Sequence, residues 1–355
     1  MKGPRRPGAN RGKPHIISHR GASGYRPEQT IASFELAARL GADYLEPDLV
    51  TTSDGVLITR HEPVLGETTD VATRPEFADR RTTKVIDGEV LRDEWFAEDF
   101  TFDEIKILRA REPMPHLRQQ NTIYDGRCAI PSFAEVIDLT MRLSIELGRD
   151  IGLYPETKHP TYFQQLDLPL EPALVGLLES NGLNRPDATV YVQSFEVTNL
   201  VKLRDQLDVP FIQLTCPEGA PYDRILACHG GTYRDMMTPE GLAGIATYAQ
   251  GIGPDKQDVI PRLPDGSLGE PTSLIADAHA VGLEVHPYIF RAENAFLPIE
   301  LRSSQRPSEL GDLFGKIETF VEAGVDGLFV DQPDIAVEAL GGPGRHAPRS
   351  RDAMR

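Results

Sequence analysis

The chain has 355 residues, of which 40% are hydrophobic and 26% are charged, and its formal net charge at pH 7 is −17. No run reaches the ~18 consecutive apolar residues that a membrane-spanning helix requires, so the sequence excludes an integral membrane protein of that kind. The excess of acidic residues also argues against nucleic acid as a partner, because a chain this negative repels a phosphate backbone.

Hydrophobic runs of strand length alternate with helical patterns along the chain. The predicted strands cover residues 15–19, 43–50 with a hairpin partner at 56–59, 151–156, 189–194, 211–215, 251–253, 283–289 and 327–330. The predicted helices cover residues 30–40, 133–147, 172–180, 197–206, 239–249, 271–280 and 313–323. This alternation predicts a parallel sheet, and the count of eight strand positions favours a closed α/β (β/α)8 TIM barrel over an open doubly wound sheet.

One segment breaks the alternation. Residues 64–100 hold 15 charged residues among 37 and show little periodicity, so they cannot form a core of their own. We interpret residues 64–115 as a small inserted subdomain after the second strand that caps the active site, with an inert surface elaboration as the alternative. A single barrel domain is predicted over 15–340, between a disordered basic tail at 1–14 and a disordered tail at 341–355.

Cysteine usage and the N-terminal pattern bear on the compartment. Cys128, Cys216 and Cys228 are odd in number and form no CxxC pair, which indicates neither a disulfide framework nor a cysteine zinc site. The basic start is not followed by an apolar segment of roughly 7–15 residues, so no secretory signal is present as written. The sequence therefore predicts a cytoplasmic protein, with a periplasmic or secreted location as the alternative if a leader was trimmed.

Charged residues are paired at the ends of the second and third predicted strands. Glu46 and Asp48 are two residues apart, so both carboxylates face the same side, and Glu156 and Lys158 repeat this spacing. Neighbouring buried acids need a cation to stay ionised together, and an all-oxygen site suits Ca²⁺ or Mg²⁺ better than zinc. Taken separately, the first pair is equally typical of a solvated strand end and the second of an ordinary salt bridge.

Two histidines frame these carboxylates. His19 ends the first predicted strand and His61 follows the hairpin, and imidazole exchanges protons near neutral pH. With Arg20 as a planar phosphate ligand, a metal ion and two imidazoles form a workable phosphodiester-cleaving site. A lone histidine is more often a packed or surface residue, so the remaining histidines, which lack such neighbours, are assigned no chemistry.

The motifs resemble those of the glycerophosphodiester phosphodiesterases. The longest matches are HRGASGYRPEQT at 19–30 and GADYLEPDLV at 41–50, followed by HE at 61–62. Shorter matches are TFDEIK at 101–106, IPSF at 130–133, PETK at 155–158, QSF at 193–195, HPY at 286–288 and DGLFVD at 326–331. The similarity runs from about residue 15 to residue 334, and the insertion after the second histidine resembles that of the bacterial periplasmic-type branch.

The resemblance implies a TIM-barrel enzyme that uses one divalent cation, Ca²⁺ or Mg²⁺. It would hydrolyse glycerophosphodiesters, such as glycerophosphocholine or glycerophosphoethanolamine, to sn-glycerol 3-phosphate and an alcohol. Position by position, Glu46, Asp48 and Glu156 match the metal-binding carboxylates, and His19 and His61 match the acid–base pair. The residues that match phosphate, glycerol or leaving-group contacts are Arg20, Lys158, Phe195, Tyr288 and Phe329.

Two departures and two rival functions remain. Glu62 stands where the family commonly has Asp, and Gln29 stands where Asn or His is commoner, but neither departure removes a catalytic group. A phospholipase D- or C-like enzyme on the same barrel is one rival, although no predicted loop is notably apolar, so we expect no stable membrane association. A silent phosphate-binding protein is the other, although all seven polar site residues are present. A homodimer remains open.

Overall fold

The structure is a computed structural model that describes residues 13–341. Both predicted tails, 1–14 and 341–355, therefore lie outside the described residues except for Lys13, Pro14 and Gly341. Within the described range the strands are β1 (His15–His19), β2 (Tyr44–Glu46), β3 (Asp48–Thr51), β4 (Leu57–Thr59), β5 (Thr82–Ile86), β6 (Glu89–Glu94), β7 (Gly152–Leu153), β8 (Glu156–Thr157), β9 (Val192–Ser194), β10 (Phe211–Leu214), β11 (Gly251–Gly253), β12 (Glu284–Val285) and β13 (Gly327–Val330).

Eight parallel strand positions form a ring. β1 lies between β13 and β2, while β8, β9, β10, β11 and β12 follow one another as parallel neighbours. A proline, which has no N–H for the ladder, divides the second barrel strand into β2 and β3 and the third into β7 and β8. Isolated parallel bridges from Leu153 to Val190 and from Phe290 to Val330 join the remaining edges. The predicted (β/α)8 barrel is confirmed.

Helices surround this ring. They are α1 (Ile31–Arg39), α2 (Phe102–Ile105), α3 (Phe133–Leu147), α4 (Pro160–Gln165), α5 (Leu170–Ser180), α6 (Val197–Arg204), α7 (Tyr222–Leu226), α8 (Tyr233–Met236), α9 (Pro239–Ile245), α10 (Lys256–Val259), α11 (Leu274–Ala280), α12 (Leu313–Ala323) and α13 (Pro333–Ala339). Within residues 13–341, none of these helices combines the length and apolar character needed to cross a bilayer.

The barrel interior is filled by a small, mostly aromatic layer. Tyr154 stacks on Tyr191 with ring centroids 5.0 Å apart and meets Phe329 edge-on at 5.2 Å. The layer consists of Ile17, Tyr44, Tyr154, Tyr191, Ile212 and Phe329. A second and larger apolar cluster joins the strands to the surrounding helices. The inner layer gives the C-terminal strand ends a packed base.

The chain between β4 and α3 lies outside the barrel repeat. It carries the antiparallel hairpin β5–β6 and several short 3-10 helices. Phe77, Trp95 and Phe100 are buried and belong to the same apolar cluster as the barrel, and Trp95 Nε1 donates to the Phe77 carbonyl at 2.6 Å. The segment therefore packs on the barrel through a few large side chains, while its hairpin carries the charge. The predicted subdomain bounds, 64–115, stay a prediction.

Candidate active site

The strand register brings the predicted carboxylates together. β1 and β2 pair so that His19 lies opposite Glu46, and β3 and β8 pair so that Asp48 lies opposite Glu156. One carboxylate oxygen from each of Glu46, Asp48 and Glu156 lies within 4.8 Å of the other two. All three side chains are buried at the C-terminal ends of neighbouring barrel strands, where barrel enzymes carry their active sites.

Fixed donors hold two of these carboxylates in place. Glu46 accepts hydrogen bonds from the Arg20 backbone N–H and from Gln193 Nε2, both at 2.9 Å. Asp48 accepts one from Gln29 Nε2 at 2.7 Å. The Arg20 backbone has a φ of +58°, a left-handed conformation, and its N–H donates directly into the cluster. The acidic groups are thus oriented by the strand ends and by the loop that follows β1.

The charge of the cluster is not balanced by protein groups alone. Burial and repulsion from Asp48 raise the pKa of Glu46 well above its usual range, and burial raises the pKa of Glu156 to about 8. Although burial opposes it, Arg20 lowers the pKa of Asp48 to about 2. Three buried oxygen donors whose simultaneous ionisation is unfavourable fit a hard divalent cation, whose charge allows all three to ionise. The residues present fit the predicted metal.

Two cationic side chains flank the cluster. Arg20 Nη1 donates to both oxygens of Glu28 at 3.1 and 3.0 Å, and Arg20 Nε lies 3.1 Å from Asp48 Oδ2. Lys158 Nζ lies 3.0 Å from Glu156 Oε1. Despite burial, these acidic neighbours raise the pKa of Arg20 and of Lys158, so both groups are cations at neutral pH. Each is suited to contact a phosphate oxygen of a ligand that binds beside a cation held by the carboxylates.

His19 is held by a buried ionic network. Its Nδ1 lies 2.8 Å from Asp331 Oδ1, while Asp331 Oδ2 accepts hydrogen bonds from Arg118 Nη2 at 2.5 Å and from Arg291 Nε at 2.8 Å. Although burial opposes it, Arg291 and Arg118 hold the pKa of Asp331 well below its usual range. Burial, followed by the charge of Arg20, lowers the pKa of His19, so the ring is neutral at pH 7.

His61 is held by a second chain of contacts. Its Nδ1 lies 3.0 Å from Glu62 Oε1, and its Nε2 lies 3.4 Å from Lys158 Nζ. Glu62 also contacts His159 Nε2 at 2.8 Å, and His159 Nδ1 lies 2.6 Å from Asp87 Oδ2. Burial and the nearby cations lower the pKa of His61 to about 4. Because an ammonium faces Nε2, we assign the ring proton to Nδ1.

The three predicted aromatic contacts lie at different depths. The Phe195 ring centroid is 5.5 Å from Lys158 Nζ and 6.2 Å from the Tyr288 ring. Tyr288 donates its hydroxyl to the Thr215 carbonyl at 2.7 Å, which fixes its ring. Phe329 lies in the interior layer and is only 2% exposed, so it offers almost no surface to a ligand in this conformation. Its direct contact with substrate stays a prediction.

Two cavities are lined by residues of the candidate site. One of about 710 Å³ is lined by Arg20, Glu28, His61, Arg291 and several residues of the β5–β6 hairpin. The other, of about 220 Å³, is lined by Glu156, Lys158, Phe195, Glu196 and Tyr233, among others. Asp87 and His159 line both, so this pair lies where the two spaces meet. Of the predicted site residues, Arg20 and His61 thus face the larger space, and Glu156, Lys158 and Phe195 face the smaller one. Together the two spaces are large enough for a small organic phosphate.

Several site residues escaped the sequence analysis. Gln193 and Asp331 stood inside matching motifs, but nothing local marked either as a partner of the carboxylates or of His19. Arg118 lies 213 residues from Asp331 in an irregular segment, so no spacing rule connects them. His159 was assigned no chemistry, because its two carboxylate neighbours come from distant parts of the chain. Only the fold brings these groups together.

A (β/α)8 barrel with buried carboxylates beside two histidines and two cations defines a barrel enzyme suited to metal-assisted chemistry on a phosphate. The model of the Glycerophosphoryl diester phosphodiesterase family matches residues 19–335. The chain belongs to this family, which confirms the predicted resemblance. The family generally depends on a divalent cation, in agreement with the carboxylate cluster.

Individual relatives agree with this assignment. The chain is 34% identical to a glycerophosphodiester phosphodiesterase of Arabidopsis thaliana, over 90% of this chain and 84% of that protein. It is 29% identical to a glycerophosphodiester phosphodiesterase of Haemophilus influenzae, over 92% and 90% of the two chains. The fold is similar to that of an Oleispira antarctica phosphodiesterase solved in complex with the product sn-glycerol-3-phosphate, with a TM-score of 0.59, 19% identity and coverage of 92% and 97%.

Proposed function

We propose that this protein hydrolyses glycerophosphodiesters to sn-glycerol 3-phosphate and a free alcohol such as choline, ethanolamine or glycerol. The observation that carries the proposal is the cluster of Glu46, Asp48 and Glu156, with His19 opposite Glu46 on the neighbouring strand and His61 near enough to Asp48 to help lower its pKa. Phosphodiester cleavage needs charge neutralisation at the phosphoryl group and proton transfer at two oxygens, and this arrangement offers both. Family membership supports the glycerophosphodiester substrate, as does the product bound to the Oleispira relative.

Glu46, Asp48 and Glu156 would hold one divalent cation, for which we propose Ca²⁺ or Mg²⁺. When bound, the cation would neutralise charge on the phosphoryl oxygens and lower the pKa of an attacking hydroxyl. The choice follows from the donor set, which contains only carboxylate oxygens. Gln193 and the Arg20 backbone would keep Glu46 oriented toward the ion.

Arg20 and Lys158 would bind the phosphoryl oxygens that remain. Contacts with Glu28 and Asp48 fix the plane of the Arg20 guanidinium, so its other N–H groups have a defined direction. We further propose that Phe195 and Tyr288 pack against the carbon atoms of the glycerol or the leaving alcohol. Phe329, the third aromatic residue in this proposal, would support that side from beneath.

The two imidazoles would divide the proton transfers. Each has its Nδ1 held by a carboxylate, Asp331 for His19 and Glu62 for His61, so the proton transfers would use Nε2, which in His61 lies 3.4 Å from Lys158 Nζ. One ring would accept the proton of the nucleophile at Nε2. The other would take up a proton from solvent as the anionic substrate binds, because the negative charge favours the imidazolium, and would then give that proton to the departing alkoxide. A water molecule and the 2-hydroxyl of the substrate are both compatible nucleophiles, and the second would pass through a cyclic phosphate.

The hairpin β5–β6 would cap the cleft over a small-molecule substrate. Val85 and Val90 are exposed on it as cross-strand partners, but they form a patch of only two side chains with Lys84 and Glu89 beside them in sequence, which is small for a membrane-docking surface. We therefore propose a water-dissolved substrate, and we expect less than a tenth of the protein to co-sediment with phosphatidylcholine vesicles. We retain the cytoplasm as the proposed compartment, with the periplasm as the alternative, and cell fractionation tests that choice.

A turnover assay tests the function. Purified protein is incubated with glycerophosphocholine, and sn-glycerol 3-phosphate is detected by a coupled dehydrogenase. We expect steady release in the presence of Ca²⁺ or Mg²⁺, loss of release in EDTA, and recovery when either ion is restored. The absence of sn-glycerol 3-phosphate from glycerophosphocholine, glycerophosphoethanolamine and glycerophosphoglycerol alike, with both ions present, would contradict the proposal.

A further inference from the structure

The segment between β4 and α3 contacts the supports of both histidines. We propose that it supplies two positioning residues for the acid–base pair, Arg118 acting on His19 and Asp87 acting on His61. Neither residue reaches the reacting atoms in this structure, so each acts through the groups that hold the imidazole rings. The inference rests on the proposed roles of the histidines, and it assigns the segment a part in catalysis beyond covering the cleft.

Arg118 links the segment to His19 by two routes. Its Nη2 donates to Asp331 Oδ2 at 2.5 Å, and Asp331 Oδ1 contacts the His19 ring. Its Nη1 donates at 3.0 Å to the carbonyl of Ser23, whose hydroxyl donates to the His19 carbonyl at 2.9 Å. Arg118 Nε is held by Glu293 at 2.6 Å, and the side chain is 2% exposed. A rigid guanidinium therefore fixes both the ring partner and the backbone of His19.

Asp87 links the hairpin to His61 through a relay of contacts. It lies in the turn between β5 and β6, and its Oδ2 contacts His159 Nδ1 at 2.6 Å. The other ring nitrogen of His159 contacts Glu62 Oε2 at 2.8 Å, and Glu62 Oε1 lies 3.0 Å from His61 Nδ1. With a carboxylate on each ring nitrogen, His159 carries two N–H donors and a positive charge. The contact between the charged ring and Glu62 Oε2 fixes the orientation of this carboxylate, so that Glu62 Oε1 faces His61 Nδ1.

The pKa values of the relay agree with this geometry. Although burial opposes it, Asp87 and Glu62 raise the pKa of His159 to about 9. Removal of the Asp87 charge would leave the His159 ring with one carboxylate neighbour and would weaken the hydrogen bond between His159 and Glu62. The His61 ring then loses a fixed partner and samples other orientations. A displacement of about 1 Å in a catalytic group costs up to ~10²-fold in rate, so a remote charge has a measurable effect.

The hairpin offers a matched pair of variants for the His61 arm. Asp87 and Asp93 both lie on it with positive φ values of 50° and 58°, a conformation that asparagine tolerates. Asp93 pairs with Arg81 on the exposed side of the hairpin and does not belong to the relay. Asp87→Asn and Asp93→Asn therefore remove the same charge in similar backbone settings, and only the first removes a charge that faces His159.

Kinetics and histidine NMR together test this arm. We expect Asp87→Asn to lower kcat about tenfold with KM within about twofold, and Asp93→Asn to leave both unchanged. Long-range ¹H–¹⁵N spectra of ¹⁵N-histidine protein should show His61 protonated at Nδ1 in the wild type and as a tautomer mixture in Asp87→Asn. Equal kcat in the two variants, a change confined to KM, or an unchanged His61 spectrum would overturn the inference for this arm.

The His19 arm is tested with a variant that keeps the charge. Arg118→Lys retains one cation but loses the fork that contacts Asp331, Glu293 and the Ser23 carbonyl, and Arg74→Lys makes the same change at an arginine that pairs with Asp70. We expect about a tenfold fall in kcat for Arg118→Lys only, with a shifted His19 ring spectrum. The same kcat in both variants, or an unshifted His19 spectrum, would overturn this arm.

The NMR spectra need no substrate. If glycerophosphodiesters prove not to be turned over, the proposed function fails, while the ring spectra still report whether Asp87 and Arg118 fix His61 and His19. If turnover occurs and the spectra of the variants match the wild type, the positioning inference fails alone.

Discussion

Two layers of the barrel interior are equally buried and differ in how their polar groups are satisfied. In the lower layer, Tyr154 is fully buried and its hydroxyl lies 2.8 Å from His286 Nδ1, a contact between two neutral groups. In the upper layer, Glu46 is 1% exposed and lies against two further carboxylates. Burial is therefore a poor guide to function by itself. The informative feature is a buried charge that the protein alone does not balance.

The histidines of the two layers also differ in the groups that their rings contact. His286 is fully buried, and burial lowers its pKa to about 3, so it is a neutral packing residue that contacts Tyr154. His19 is also buried, but its Nδ1 contacts a carboxylate that two arginines keep ionised. The same residue type thus packs as a neutral group in one layer and, in the proposed mechanism, transfers a proton in the other, because the neighbours differ.

The largest effect expected from this contrast is on the rate. His19→Ala and His61→Ala should each lower kcat by about 10²–10⁴-fold, because each removes a proton-transfer group, with the far-UV circular dichroism unchanged. His116→Ala, at an exposed histidine, is the matched control and should retain full activity. A His19 or His61 variant that keeps a tenth of the wild-type rate would refute the role of that ring.

The leaving group separates the roles of the two histidines. A substrate that releases p-nitrophenolate needs no proton on the departing oxygen, so it should restore turnover to the variant that lacks the general acid. The variant that lacks the general base should stay slow with both substrates. If neither variant, or both, recovers with the activated substrate, the division of labour between the rings is wrong.

A substitution in the lower layer should lower the stability of the fold. Phe329→Ala removes a buried ring that packs on Tyr154, so we expect the free energy of unfolding to fall by about 3–5 kcal/mol in urea titrations. At temperatures where the variant remains folded, kcat should stay within tenfold of the wild type. A loss of rate as large as that of the histidine variants, without a loss of stability, would place Phe329 in the site and erase the contrast between the layers.

A smaller effect is expected in the pH dependence of the upper layer. The folded-state pKa of Glu156 is raised to about 8, so its stabilising protonated form is lost as pH rises from its unfolded value toward 8. In EDTA, the free energy of unfolding of Glu156→Gln should therefore rise relative to that of the wild type as pH rises from 5 to 8. With Ca²⁺ present, the wild type should be the more stable of the two. Urea titrations at each pH measure the difference, and a difference independent of pH would contradict the account.

Much of the fold followed from local signals. Helix α3 begins and ends where predicted, because Ser132 and Glu135 form a capping box and Gly148 takes a left-handed φ of 64° at its end. Predicted helix 271–280 is shorter in the structure, where α11 begins only at Leu274, and α13 was not predicted. α13 starts at Pro333, directly after β13, so little sequence separates the two elements.

The site was predictable where one strand carries two of its groups. The spacing of Glu46 and Asp48 places both on one face, and the barrel then brings Glu156 alongside. The resemblance, which names Phe329 as an aromatic contact, does not give depth along the barrel axis, and in the structure this ring packs in the interior layer. The residues that hold the histidine rings depend on contacts between distant segments, such as that of Arg118 with Asp331. No local sequence pattern predicts such contacts.

The account depends most on a cation that resolves the charge of the three carboxylates. The direct measurement is calorimetric titration of Ca²⁺ and of Mg²⁺ into EDTA-stripped protein at pH 7, in two buffers with different ionisation enthalpies. We expect one ion per chain and the release of about one to two protons, because Glu46 and Glu156 must ionise to bind it. Absence of saturable binding, or binding without proton release, would contradict the account.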